Sequence, residues 1–277
     1  MPVISPELCT QCLKCVNDCP SEAIEIKSWN IDASCIHCGH CVAVCPEKAV
    51  QPDFGSIVPL VDSNIQLEDF IHLTASVRSC RRYKSKSIPK ELLDMLVENI
   101  KNYPSASNKR SLKVTIVQTP EKIQLLNDMT QETLMKAFKL ISGKVVGGIL
   151  NVIAPNLGIK QLRAYMKKHA ERNKTMKQQI CYEAPVVMLF HGPAGKFGMV
   201  KDDAVIWATN TTLLAKTMGL GSCFIGFIVK AMEKNKTMRQ TFHIPENHQV
   251  FAALTIGYPK VIYVNEVSRK APEVSVL

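Results

Sequence analysis

"CTQCLKCVNDCP" occupies residues 9–20, and "CIHCGHCVAVCP" repeats the same spacing at residues 35–46, an offset of 26 positions. The two runs hold eight of the chain's eleven cysteines, all within the first 45 of 277 residues. Each run reads C-x2-C-x2-C-x3-C-P. Such a concentration of thiols in one short segment marks a small domain that is organised around its cysteines.

The spacing within each run predicts two [4Fe–4S] clusters. Three thiolates separated by two residues wrap a loop around one corner of a cubane, and the fourth, beside the proline, points to the neighbouring cluster. Zinc is the alternative for CxxC pairs, but zinc sites use four ligands in two pairs with a longer separation. The predicted ligand sets are Cys9, Cys12, Cys15 and Cys45 for one cluster, and Cys35, Cys38, Cys41 and Cys19 for the other.

Residues 1–55 resemble a two-cluster bacterial ferredoxin, including the apolar pairs Ile24/Ile26 and Ala49/Val50 that follow the two runs. His37 and His40 lie inside the second cysteine run and are predicted to be surface residues, because four cysteines already fill the ligand positions. A cluster with no open iron transfers electrons and does no bond chemistry. The remaining residues are numerous enough for one further large domain that uses these electrons.

Composition and charge limit the classes of partner. The first 58 residues carry three lysines against seven carboxylates, whereas the whole chain has a net charge of +10, so an acidic head precedes a basic body. The basic run 160–177 has few aromatic residues, which favours a solvated helix face over a nucleic-acid site. The apolar window 140–159 contains Lys144, Pro155 and four glycines, which argues against a membrane span. We therefore expect a cytoplasmic protein that binds neither nucleic acid nor membrane.

The body alternates between helical and strand patterns. Leucines and other apolar residues recur at helical spacing after Pro89, and a second helix over 204–218 stops at Gly219. Strands are predicted around Val114, at 184–192 and at 249–257. Neither G-x-G-x-x-G after a strand nor G-x-x-x-x-G-K-[ST] occurs, so side chains must hold the phosphate of any nucleotide-like cofactor. The arginine segment "RSCRRY" at 78–83 and "SRK" at 268–270 are the candidates.

Three segments together resemble the FMN-dependent nitroreductase family. They are "VRSCRRYKSKSIPKELLDMLVENIKNYPSASN" at 77–108, "AKTMGLGSCFIGFI" at 215–228, and the C-terminal strand with its basic tail from Ile244 to Val274. The chain thus resembles a ferredoxin–nitroreductase fusion. This implies an α+β protein with a two-cluster ferredoxin domain (1–55), a connector (56–75) and a nitroreductase-like mixed α/β sandwich (76–277), whose central sheet is flanked by helices.

The resemblance also implies the residues of a flavin site. Arg78, Ser79 and Arg81 would bind the FMN phosphate and ribityl chain, with Arg269 and Lys270 closing on the phosphate. Asn108 would face the polar edge of the isoalloxazine, although Lys109–Leu112 depart from the family pattern after it. The backbone around Ser222, Ile225 and Gly226 would supply N–H groups near N5 and O4 of the flavin. Because "CFIGFI" lacks the Glu of some relatives, the donor to N5 stays open.

The remaining cysteines and histidines of the body are assigned structural roles. Cys80, Cys181 and Cys223 are predicted to be buried and unreactive, and His191 and His243 to be structural. Family members are domain-swapped homodimers, so the resemblance implies a homodimer. The segment 140–159 is then either a lid or dimer-spanning segment over the flavin, or a packed pair of surface helices.

The predicted function is oxidoreduction: electrons pass through two [4Fe–4S] clusters to FMN and then to a nitroaromatic, a quinone or another flavin. The donor is reduced ferredoxin or NAD(P)H, and the sequence does not decide between them. One alternative is a flavo-ferredoxin that relays electrons between proteins without a small-molecule substrate. A redox sensor is a further alternative, although no DNA-binding pattern accompanies it.

Overall fold

The computed structural model describes residues 1–142, 164, 178–195 and 198–277. The chain forms two compact units, of which the first contains Met1–Ile65 and Ser105–Arg110 and the second contains Gln66–Pro104 and Ser111–Leu277. The predicted domain limits at residues 55 and 75 stay predictions.

The first unit is built from two strand pairs and two single helical turns. Its apolar core contains Ile4, Ile24, Ile31 and Val50, which share the interior with cysteines of both runs. The two pairs are antiparallel, β1 with β4 and β2 with β3. Its elements are β1 (Val3–Ile4), α1 (Lys14–Asn17), β2 (Ile24–Glu25), β3 (Asn30–Ile31), α2 (His40–Ala43) and β4 (Val50–Gln51).

The two cysteine runs fold alike at the level of single backbone angles. Three left-handed residues recur at the 26-residue offset, and two of the three pairs contain no glycine. Left-handed backbone costs an ordinary residue about 1–2 kcal/mol, so the loops keep their tight wrap at an energetic cost. The pairs are Gln11/His37 (φ 55° and 55°), Leu13/Gly39 (61° and 78°) and Glu22/Lys48 (51° and 51°).

The second unit is a four-stranded antiparallel sheet between two layers of helices. The strand order is β5-β6-β8-β7, and a register shift between Phe190 and His191 interrupts the β6–β8 ladder. The strands are β5 (Lys113–Val117), β6 (Val186–Pro193), β7 (Gly221–Phe224) and β8 (His248–Gly257). The helices are α3 (Leu67–Ser76), α4 (Lys90–Asn99), α5 (Pro120–Ser142), α6 (Val200–Thr217), α7 (Gly226–Lys234) and α8 (Lys236–Thr241).

Strand β6 is buried on both faces, which explains its continuous apolar run. Val187 and Leu189 belong to the core shared with α5, α7 and α8, whereas Met188 and Phe190 belong to the core shared with α4 and α6. The expected α+β class, with a central sheet flanked by helices, is confirmed.

The glycine that ends α6 has the conformation its position requires. Gly219 has φ 73°, and the N–H of Leu220 donates to the carbonyl of Ala215 at 2.8 Å, which closes the helix end. The chain then turns directly into β7, which carries the Gly-Ser-Cys part of the second family motif. The helix stop therefore fixes where that motif begins.

Among the residues that the structure describes, no helix is both long and apolar enough to cross a membrane. The cytoplasmic location stays a prediction.

Candidate functional site

Four cysteine side chains line each of two cavities in the first unit. One cavity is lined by Cys9, Cys12, Cys15 and Cys45. The other is lined by Cys19, Cys35, Cys38 and Cys41. Each run thus gives three cysteines to one cavity and its last cysteine to the other. The predicted role of these cysteines as cluster ligands stays a prediction.

The thiols around each cavity are spread more widely than the ligands of a single ion. Within the described ranges, no group of three or more His, Cys, Asp or Glu side chains is close enough to hold one metal ion. Burial raises the pKa of Cys15, and it raises the pKa of Cys41 to about 11, so nearby positive charge is needed to keep these groups ionised. A multi-iron cluster fits both the spacing and the charge requirement.

Backbone amides point at the first and last sulfur of each run. The N–H of Gln11 donates to Sγ of Cys9 at 3.4 Å, and that of His37 donates to Cys35 at the same distance. The amides of Ala23 and Ala49 donate to Cys19 at 3.4 Å and to Cys45 at 3.2 Å. Such bonds stabilise thiolate charge and tune the reduction potential of a bound cluster.

The histidines of the second run lie at the surface, as predicted. His37 contacts the carboxylate of Asp53, and Nδ1 of His40 lies 3.3 Å from Asp18. Their side chains are 43% and 55% exposed.

In the second unit, Arg78 and Arg269 converge on one backbone oxygen. Nη1 of Arg78 donates to the carbonyls of Ala75 at 2.7 Å and Val77 at 2.9 Å, and Nη2 of Arg269 donates to the same Val77 carbonyl at 3.1 Å. Nη2 of Arg78 is buried and has no hydrogen-bond partner among the described residues. Since a buried unpartnered guanidinium nitrogen is unfavourable, this atom marks a place for an anion. Lys270 follows Arg269 and is exposed.

The arginine segment contacts β7 through one isolated parallel bridge. Ser79 pairs with Ser222, and the N–H of Cys80 donates to the carbonyl of Ser222 at 2.9 Å. A Cβ on Gly221 would lie 2.8 Å from Cβ and 2.9 Å from Sγ of Cys80, so only glycine permits this approach. The structure thus brings together two of the three segments that carry the family resemblance.

The guanidinium of Arg81 lies over the ring of Tyr182, with 6.0 Å between Cζ and the ring centroid. Burial acts to lower the pKa of Arg81, but Cys223 and Tyr182 lie beside the group and raise that pKa on balance. Burial likewise raises the pKa of Cys223, against the opposing effects of Arg81 and Ser79. These four side chains form one polar cluster next to β7.

The three body cysteines are buried, as predicted. Burial raises the pKa of Cys80, and it raises the pKa of Cys181 to about 12. Together with Cys223 they are at most 3% exposed. Thiols in this state are poor nucleophiles at neutral pH.

The first two residues after β7 differ in their surroundings. The N–H of Ile225 donates to the carbonyl of Ala253 at 2.9 Å, so it already serves the sheet. Gly226 is exposed, opens α7, and has no atom within 4 Å of the place where a Cβ would stand. The positive end of the helix dipole and open space therefore coincide at Gly226.

Asn108 lies in the first unit, where its Nδ2 donates to the carbonyls of Ile36 at 3.2 Å and His37 at 2.6 Å. Both Ser107 and Asn108 have left-handed backbone, with φ 49° each. The predicted contact of Asn108 with a flavin stays a prediction. The apolar segment 140–159, with its two alternative roles, lies outside the described residues except for its first three positions.

A buried histidine pair connects β6 and β8. Nδ1 of His191 lies 2.9 Å from Nδ1 of His248, and Nε2 of His191 lies 3.0 Å from Oγ1 of Thr115. Burial lowers the pKa of His191 to about 4, and it also lowers the pKa of His248. His191 is thus a buried, hydrogen-bonded residue of the sheet, and its structural role stays a prediction.

Tyr182 and Asn127 were not identifiable as site residues from the sequence. Asn127 is fully buried, and its Oδ1 accepts hydrogen bonds from the N–H groups of Ile180 and Cys181. The available signal was the polar Asn127 within an apolar helix stripe, and it has no counterpart in the family motifs.

Comparisons with known proteins identify both parts of the chain. The model described as "Nitroreductase family" matches residues 75–258, and the model described as "4Fe-4S dicluster domain" matches residues 1–46. The basic tail with Arg269 lies beyond the first of these matches. A candidate NADH dehydrogenase/NAD(P)H nitroreductase of Archaeoglobus fulgidus is 34% identical over 64 residues, which are 23% of this chain and 36% of that protein. The match thus spans about a third of that relative's length.

Solved structures share the fold at low sequence identity. A nitroreductase with bound FMN from Bacteroides fragilis superposes with a TM-score of 0.56 at 21% identity, covering 75% of this chain and 97% of the other. A nitroreductase with bound FMN from Desulfitobacterium hafniense gives 0.55 at 16%, covering 74% and 97%. A BluB-like flavoprotein from Clostridium difficile gives 0.55 at 14%, covering 75% and 96%.

Proposed function

The chain belongs to the nitroreductase family, and from this membership we propose that it is an iron–sulfur flavoprotein oxidoreductase. Two [4Fe–4S] clusters would pass electrons to FMN, and FMN would pass them to a flat, electron-poor acceptor such as a nitroaromatic, a quinone or another flavin. The observation that carries the proposal is the buried, unpartnered Nη2 of Arg78, which needs an anion of the kind that the FMN phosphate supplies.

Arg78 and Arg269 fit a phosphate monoester. The phosphate is a strong acceptor with nearly two negative charges, and planar guanidinium groups bind it through paired hydrogen bonds. Nη1 of Arg78 is committed to two backbone carbonyls and Nη2 is buried, so the orientation of the group is set before a ligand arrives. Ser79 and Arg81 would bind the ribityl chain and the phosphate from the neighbouring strand, and Lys270 would add charge at the tail.

Gly226 is the preferred donor to N5 of the flavin. The amide of Ile225 serves the sheet, whereas Gly226 stands at the N-terminus of a nine-residue helix with open space beside it. A fixed N–H group and a helix dipole at this point favour negative charge on a reduced flavin. Ser222 would contribute through its backbone, which already holds the arginine segment in place.

FMN supplies the chemistry of the reaction, since it accepts electrons one at a time and can deliver them singly or as hydride. The chain's own residues bind the phosphate, fix the plane of the ring and place a dipole near N5. No catalytic acid or base is assigned to a side chain. The four thiols around each cavity would hold one cubane, and the N–H groups directed at sulfur would raise its potential.

A second copy of the chain is the expected partner. Helix α3 has no buried residue, and its apolar side chains Leu67, Phe70 and Ile71 are 69%, 51% and 51% exposed. Ile262 and Val264 of the tail are 86% and 82% exposed. Apolar surface of this extent is typical of an interface, which supports the proposed homodimer.

The test is an anaerobic reduction of the full-length protein, followed at the flavin and cluster absorption bands. NADPH and a reduced low-potential ferredoxin are compared as donors, with a nitroaromatic as acceptor. We expect turnover of the nitroaromatic with at least one donor. Flavin reduction without any turnover would favour the protein-to-protein relay, and a protein that binds no FMN would refute the proposal.

A variant of one predicted cluster ligand tests whether that cluster carries electrons from the donor to FMN. Cys35→Ala removes one predicted cluster ligand and changes no residue that is assigned to the flavin site. Turnover with the ferredoxin donor should fall by at least tenfold, while a small one-electron dye should still reduce the flavin. Equal turnover with and without Cys35 would exclude that cluster from the route.

A further inference from the structure

The side chains of Arg81 and Arg78 differ in the contacts that restrain them. The side chain of Arg81 is exposed and donates to the carbonyl of Ser79 from Nη1 over a long 3.5 Å, and it also makes a side-chain hydrogen bond with Tyr182. No acidic side chain is paired with it in the ion pairs of the described residues. A long side chain without such a partner loses much rotamer freedom when it binds a ligand, unless another contact orders it first.

The ring of Tyr182 supplies that contact. The guanidinium carbon of Arg81 lies 6.0 Å from the ring centroid, within the range of a cation–π interaction. Tyr182 is partly buried and packs against the cluster of Cys80, Tyr83 and Ala184 as well as against the core on the α5 face. The packing of the Tyr182 ring against these residues restricts its movement, and the ring contacts Arg81.

The backbone of Tyr182 is fixed independently. Its N–H donates to the carbonyl of Gln178 at 3.0 Å, and Asn127 holds the two preceding amides at 2.9 and 3.4 Å. Tyr182 and Glu183 both adopt left-handed backbone, at φ 56° and 58°. Two consecutive non-glycine residues rarely adopt this conformation, and it persists only where the surroundings impose it.

Arg81 also interacts with the strand that carries the flavin motif. Its guanidinium interacts electrostatically with Cys223 of β7, and the thiol of Cys223 shares a hydrogen bond with the side chain of Ser79. Tyr182 and β7 therefore both contribute contacts to Arg81.

We propose that Tyr182 is a positioning residue that orders Arg81 for FMN. The face of its ring and its hydroxyl together set the direction of the guanidinium and so lower the entropy lost when the cofactor binds. The inference rests on the proposed function, because it needs Arg81 to contact FMN.

The experiment measures FMN affinity by anaerobic calorimetric titration of full-length, cluster-loaded protein from which flavin has been removed. Tyr182→Leu should weaken binding about fivefold, the scale of a partly exposed cation–π contact. Tyr182→Phe keeps the ring but removes the hydroxyl, so its FMN affinity should lie between those of the wild-type protein and Tyr182→Leu. Thermal unfolding of the flavin-free proteins is recorded in parallel. A Tyr182→Phe protein that is as weak as Tyr182→Leu would overturn the role of the ring.

A double-mutant cycle separates positioning from general stability. In an Arg81→Ala background, Tyr182→Leu should leave FMN affinity unchanged, because the group that it orders is gone. A loss of the same size in both backgrounds would mean that Tyr182 supports the site structurally, and the inference would fail. If Tyr182→Leu does not fold, Arg81→Lys provides the test: it keeps the charge but loses the planar group, and unchanged affinity would refute the inference.

The two proposals fail in distinguishable ways. If Arg78→Ala and Arg81→Ala both leave FMN affinity unchanged, the proposed flavin site is wrong. If they weaken binding but Tyr182→Leu does not, only the role of Tyr182 is wrong.

Discussion

Arg78 and Arg269 donate to the same atom, the backbone oxygen of Val77, at 2.9 and 3.1 Å. Two like charges that share one acceptor repel each other, and the remaining nitrogen of Arg78 is buried without a partner in the described part of the chain. An anion placed between them would relieve both the repulsion and the missing hydrogen bond. We therefore propose this pair as the phosphate site.

Arg78→Ala should weaken FMN binding by about 10- to 100-fold, as expected for a charged hydrogen bond lost from a buried anion. Riboflavin, which lacks the phosphate, should bind the variant and the wild-type protein equally well. Arg269→Ala should have a smaller effect of about threefold to tenfold, because exposed charges are screened by solvent. The measurement is calorimetric titration with both ligands.

Arg82→Ala is the matched control for these variants. Arg82 lies in the same segment and is exposed, and its backbone carbonyl accepts a hydrogen bond from Lys260 that the substitution keeps. Its FMN affinity should stay within about twofold of the wild-type value. Equal losses for Arg78, Arg82 and Arg269 would indicate general electrostatic attraction instead of a defined phosphate site.

Gly221→Ala should destabilise the second unit by about 1–3 kcal/mol, the usual cost of inserting a methyl group into a packed site. Its Cβ would stand within 3 Å of both side-chain atoms of Cys80, and the arginine segment would have to move away from β7. We therefore expect weaker FMN binding together with a lower free energy of unfolding in urea. Gly226→Ala is the control for stability, since its Cβ would meet open space.

Much of the architecture followed from the sequence because its signals are local. The cysteine spacing, the alternating strands and Gly219 each constrain a few neighbouring residues, and the elements around them are where the patterns place them. Tyr182, by contrast, matters through Asn127 and Arg81, which lie far from it in sequence. The proposed choice of Gly226 over Ile225 as the N–H donor to the flavin likewise depends on a distant contact. The N–H of Ile225 donates to the carbonyl of Ala253 in another strand, and no local sequence pattern indicates this hydrogen bond.

Protein stability should decrease as the pH falls below about 6.5, in part because of His191. The pKa of His191 is lowered to about 4 in the folded protein by burial, by His248 and by Lys113, against an ordinary value of 6.5. The unfolded chain therefore binds a proton that the folded protein does not, and stability is lost as the pH falls from about 6.5 toward 4. Between pH 7.5 and 5.0 this group should account for about 2 kcal/mol.

The His191→Gln variant isolates this contribution. Glutamine cannot titrate, so the free energy of unfolding in urea should depend less steeply on pH than in the wild-type protein. Parallel pH profiles for the two proteins would show that the histidine pair is not the source of the effect.

Measurements of iron content can test whether the last cysteine of each run binds the cluster of the other run. Anaerobically purified protein should contain about eight iron atoms and eight acid-labile sulfides per chain, four of each per cubane.

Cys19 lines the cavity of Cys35, Cys38 and Cys41, although it belongs to the other run. Cys35→Ala should lower the iron content to about four, and adding Cys19→Ala should lower it no further, because both ligands serve one cluster. Combining Cys19→Ala with Cys9→Ala should remove nearly all iron, because each ligand serves a different cluster. The opposite pattern of losses would show that each run binds its own cluster, and stoichiometric zinc without labile sulfide would refute the iron–sulfur assignment itself.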